Sequence, residues 1–199
     1  MIINILVSIV SALLFLYVFW TRLKEDYTQN QIFTAGFYVL LGIACGSILA
    51  DNSFSELWFW ASFAGGVIGL ALGIWRFRLR FFETLEAAVL SELILFLIVF
   101  LLSLVKKFSQ ITLLGTLAII VLIGLFIFLD AHYKKFSWYK SGRVGFSGLT
   151  VLGLFFLART LVAMLAIDVL SFVGDREVIA SGVLSFVSFM AVYNLSKQT

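Results

Sequence analysis

The sequence predicts an all-α integral membrane protein: a bundle of seven transmembrane helices, N-terminus outside and C-terminus in the cytoplasm. Three observations predict it. Of 199 residues, 62% are hydrophobic and only 13% are charged, against about 25% charged in a soluble domain. The apolar residues fall in seven runs, each near the ~20 residues a helix needs to cross the bilayer core. The basic residues fall between those runs, and mostly in alternate gaps.

The first run, residues 2–20, has neither the basic leading region nor the small-residue cleavage motif of a signal peptide, so it is expected to remain as a span. The second, 32–50, holds the single cysteine, Cys45, which excludes an intrachain disulfide or a Cys-based metal site. The third, 58–75, is rich in glycine and ends in "WRFRLR", a basic stop. The fourth, 85–105, contains two carboxyls, Glu86 and Glu92. The fifth, 110–129, is followed by "DAHYKKFSWYK", where the lone His132 lacks the neighbours a metal site needs. The sixth, 145–167, contains Arg159, and the seventh covers 178–195. No proline occurs, no Gly/Ser-rich linker interrupts the chain and no repeat is found, so residues 1–199 are expected to form one seven-helix domain.

Orientation follows from charge. One set of alternate gaps holds Arg22, Lys24, Arg76, Arg78, Arg80, Lys134, Lys135, Lys140 and Arg143, with Lys197 in the tail. The other holds Lys106, Lys107 and Arg176, beside Asp51, Glu56, Asp168, Asp175 and Glu177. Basic residues mark the cytoplasmic side. Trp58, Trp60, Trp75, Trp138 and Tyr139 fall near span ends, where interfacial aromatics belong. The Lys and Arg residues cluster in these short gaps, which is a topology signal rather than a nucleic-acid stripe.

Within the spans, small and charged residues carry the information. Gly65, Gly66, Gly69 and Gly73 recur at helical spacing and predict a face on which another helix packs closely; Gly142, Gly145 and Gly148 admit the same reading. Arg159 lies about 21 Å along the sixth span at ~1.5 Å per residue. A cation at that depth costs at least ~2.5–3.5 kcal/mol and is expected to serve a site, to pair with a carboxyl such as Glu92, or to reach the headgroups. Glu92, about 10 Å into the fourth span, is expected either in such a pair or as a protonated carboxyl beside Ser91.

Two stretches carry a family resemblance. "FTAGFYVLLGIACGSILAD" with "LWFWASFAGGVIGLALGIWRFRLRFFETLEA", and "KSGRVGFSGLTVLGLFFLARTLVAM", resemble the bacterial prolipoprotein diacylglyceryl transferases. The resemblance implies a seven-span protein of the bacterial cytoplasmic membrane. It implies transfer of diacylglycerol from phosphatidylglycerol to the cysteine thiol of a lipoprotein precursor, with Arg159 as a lipid-phosphate-binding residue and no cofactor. The departures are specific. The family's His-Gly-Gly reads Ala64-Gly65-Gly66, its Gly-Arg-x-Gly-Asn signature is absent from Phe96–Ser103, and Ala163 replaces a glutamate four positions after the arginine. An arginine grips phosphate but does not deprotonate a thiol near neutral pH. Three functions stay open: a divergent or inactive transferase with Glu92 or a partner subunit as general base, a non-catalytic binder of phospholipid or lipoprotein signal segments, and a structural subunit of a membrane complex. The catalytic residues are not assigned by the sequence.

Overall fold

The computed structural model describes residues 2–53, 57–106, 108–136, 138–139, 144–165 and 175–197. Glu56, Lys107, Lys140, Gly142, Arg143 and Asp168, all used above, lie outside these. Seven helices account for almost all the described residues, with no strand among them: α1 (Ile2–Leu23), α2 (Gln29–Ser53), α3 (Trp58–Phe77), α4 (Phe81–Lys106), α5 (Gln110–His132), α6 (Phe146–Leu165) and α7 (Asp175–Lys197). Each is long and apolar enough to cross a membrane.

The helix ends differ from the apolar runs for local reasons. α2 starts at Gln29 because Gln31 reaches back to cap Thr28, its side-chain oxygen accepting from both the backbone N–H and the hydroxyl of Thr28. α4 starts at Phe81, with Glu83 in the first turn, where a negative charge suits the helix dipole. α3 stops where Arg78 turns left-handed (φ 53°) and its N–H, like that of Leu79, returns to the Ile74 carbonyl. The last residue of α5 is His132, so this imidazole belongs to the helix and not to the loop. It stacks on Phe128, ring centres 4.5 Å apart, and bonds the Phe128 carbonyl.

Glycine sets the tightest contact. On α2 and α3, a Cβ added at Gly65 would overlap the Gly42 carbonyl, one at Gly69 the Tyr38 carbonyl, and one at Gly46 the Ala61 carbonyl. Backbone therefore meets backbone along this pair, which is the most extensive helix contact in the bundle. α6 packs chiefly on α7, and α1 on α4. Gly148 of α6 lies against Glu86 of α4, whose Cα would be 2.8 Å from an added Cβ.

Two apolar clusters fill the interior. One joins α1 to α2 and α4 through Phe15, Phe19, Ile32, Val39 and Ala87; the other joins α4, α5, α6 and α7 through Val89, Phe126, Leu149, Val151 and Val192. The outside of the bundle is apolar as well, with Leu6, Leu49, Val105, Leu114, Val121 and Phe186 all more than half exposed.

Candidate functional site

Two polar clusters interrupt this apolar interior. The first gathers at the helix ends near Arg22. Its guanidinium grips Asp130 of α5 with both terminal nitrogens, at 2.8 and 3.3 Å, and lies 3.6 Å from Glu86. Glu86 in turn accepts from the Ser147 hydroxyl (2.5 Å) and the Gly145 N–H (3.2 Å). Four helices meet through these side chains. Glu86 is buried, 4% exposed. Nearby, the Tyr27 hydroxyl donates to Glu83 (3.1 Å) and accepts the Arg80 N–H (2.9 Å), tying the α1–α2 and α3–α4 connections together. Burial, reinforced by Glu83 and opposed by the Arg80 hydrogen bond, pushes the Tyr27 phenol above its ordinary range.

The second cluster is built on Arg159. α6 presents this side chain to α7, where the Glu177 carboxylate accepts from Arg159 Nε. The other carboxylate oxygen accepts from Trp60 Nε1 at 2.5 Å, and the Ser181 hydroxyl adds a third donor at 3.1 Å. Arg159 is 9% exposed and Glu177 2%. The guanidinium lies flat against aromatic surface, its carbon 3.5 Å from the centre of the Phe59 ring, while Trp60 stacks on Phe156. One donor is left over: Arg159 Nη2 is buried and has no acceptor among the described residues.

The expected pairing of Arg159 with Glu92 is therefore corrected. Glu177 takes the arginine because α7 is its principal neighbour, and Phe59 stands where Glu92 would have to approach. Nor does Glu92 bond Ser91, whose hydroxyl donates to the Ala87 carbonyl. The Glu92 carboxyl has no hydrogen bond or ion pair among the described residues. It lines a cavity of about 190 Å³ between α2, α3 and α4 and a smaller one of about 20 Å³ toward α6. Phe59 borders both.

The glycines divide by role. Gly65 and Gly69 meet the backbone of α2, and Gly148 meets Glu86. Gly66 faces Ile43 and Glu92: an added Cβ would lie 3.0 Å from Ile43 Cγ1 and 3.4 Å from Glu92 Oε1. Sequence reasoning missed Glu177 and Trp60 as site residues. Glu177 was placed in a gap because the apolar run begins one residue later, although an acidic residue directly before such a run is itself a helix-start signal. Trp60 was placed at an interface; only its position two residues past the start of α3 separates it from Trp58, which is 45% exposed.

Among the described residues no group of three or more His, Cys, Asp or Glu side chains converges as a metal site. Comparison with protein-family models, curated proteins and solved structures finds no match. What the fold and site define is a seven-helix bundle of membrane-crossing dimensions with a buried, aromatic-lined arginine–glutamate pair.

Proposed function

We propose that this chain is a multi-pass protein of the bacterial cytoplasmic membrane that binds an anionic phospholipid, phosphatidylglycerol by preference, at Arg159. The apolar exterior suits lipid as solvent, and the ten-to-three bias of basic residues supports an N-terminus outside. The observation that carries the lipid assignment is the spare donor. Glu177 occupies Nε and leaves Nη2 buried without an acceptor, and a phosphate oxygen supplies one. Phe59 lies against the guanidinium and Trp60 stacks on Phe156, which gives the pair an apolar surround fit for the glycerol and upper acyl chain.

Native mass spectrometry of the purified protein with phosphatidylglycerol tests this. Arg159→Lys should weaken binding by losing the planar donor edge, and Arg159→Gln should weaken it further. If both variants retain the lipid like the unaltered chain, the assignment fails. Diacylglyceryl transfer to a lipoprotein cysteine is the second reading, favoured by the Gly-rich third and sixth segments and their resemblance to the transferases. Rescue of a bacterium depleted of its own transferase would establish that reading; failure to rescue, with lipid binding intact, leaves the non-catalytic one.

A further inference from the structure

The Glu92 cavity carries an inference that does not depend on Arg159. A carboxylate enclosed by apolar groups is unfavourable unless a cation accompanies it or a proton neutralises it. Among the described residues the Glu92 carboxyl has no partner, and no Lys or Arg borders the cavity of about 190 Å³ that it lines. Five aromatic rings line it, Trp58, Phe59, Phe63, Phe96 and Phe100, with aliphatic Ile43, Leu95 and Val99 between them. Ring faces attract cations through their quadrupole, most strongly where water is excluded. Gly66 keeps the space in front of the carboxyl open, since a methyl group there would come within 3.4 Å of Oε1.

We infer that this cavity is a binding site for a small lipophilic organic cation, an ammonium held by the Glu92 carboxylate and the surrounding rings. The ligand carries net positive charge. A zwitterionic headgroup would bring a phosphate that none of the described lining residues neutralises. The Ser47–Ser62 hydrogen bond, 2.8 Å long, satisfies both hydroxyls on the wall between α2 and α3, which leaves Glu92 as the polar anchor.

Tetraethylammonium is the probe, titrated calorimetrically into the full chain in detergent. The unaltered protein should bind it saturably. Glu92→Gln, which keeps shape and removes charge, should weaken binding at least ~10-fold. Phe96→Leu should weaken it about threefold or more and serves if the Gln variant does not fold. Phosphocholine should not displace the probe. No saturable binding by the unaltered chain overturns the proposal, leaving a protonated Glu92 beside an apolar void. Equal affinity in a folded Glu92→Gln, or in Phe96→Leu, overturns it too. Displacement by phosphocholine at comparable concentration overturns it in favour of a zwitterionic lipid headgroup.

Discussion

Replacing Arg159 by Gln leaves the Glu177 carboxylate, 2% exposed, without its counter-charge. Removing one member of a buried pair costs about 3–5 kcal/mol, because the survivor stays charged in a poor dielectric. Glu177 keeps two donors, Trp60 Nε1 and the Ser181 hydroxyl, which puts Arg159→Gln near the lower end, at about 3 kcal/mol. Glu177→Gln strands the guanidinium, whose remaining support is the Phe59 face at 3.5 Å, worth about 0.5–2 kcal/mol. That change belongs nearer the upper end, at about 4–5 kcal/mol. With both residues changed to Gln, no charge is buried and two amides meet, so much of the loss returns. The cycle should show a coupling of at least ~2 kcal/mol. Denaturant unfolding in detergent, followed by the far-ultraviolet helix signal, measures all four proteins. If the double variant loses the sum of the two single losses within about 0.5 kcal/mol, Arg159 and Glu177 do not act as a pair. Glu92→Gln is the control: it should not rescue Arg159→Gln, since the two side chains are unconnected.

Three further outcomes are expected. Gly65→Ala should lower the melting temperature far more than Gly66→Ala, because the first methyl meets backbone and the second meets side chains that can yield; at Gly124, where nothing lies within 4 Å, Ala should be neutral or stabilising by up to about 1 kcal/mol. In a Cys45→Ser background, a cysteine at exposed Glu25 should resist an impermeant thiol reagent in intact cells while one at exposed Gln110 reacts, and the reverse pattern would invert the topology. The Tyr27 phenol, raised by burial in the folded state, contributes stability that is fully present below its unfolded value near 10 and is lost as pH climbs through the folded value; Tyr27→Phe should remove that alkaline loss, which unfolding across pH 9–12 would detect, besides costing about 1–2 kcal/mol in hydrogen bonds.

The seven helices were legible because their signal is compositional: an apolar run of sufficient length needs no tertiary information. The starts at Trp58 and Gln110 follow from the runs alone. Ends set by a polar cap, as at Thr28, or by a left-handed backbone turn, as at Arg78, extend past the apolar window and escape a hydropathy count. The candidate site was half legible. Arg159 stands out because a cation within an apolar run is costly, but its partner depends on which helices become neighbours, and a single sequence does not encode that as spacing. The same holds for Arg22. It reads as one more basic residue in a loop, yet it joins Asp130, more than a hundred positions away, and Glu86.

The glycine contact between α2 and α3 has a mechanical consequence. Two helices whose backbones touch at Gly42, Gly46, Gly65 and Gly69 cannot slide or tilt against each other without collision, so they move as one stiff lever. Against α4 the same lever is lightly held, since α3 and α4 share few contacts. The soft seam of the molecule therefore runs between the α2–α3 hairpin and α4, through the void that Glu92 borders. Any swelling or collapse of that void should appear as a rigid swing of the hairpin, pivoting where Tyr27, Arg80 and Glu83 bind the two connections together, while α6 and α7 stay clasped by Arg159 and Glu177.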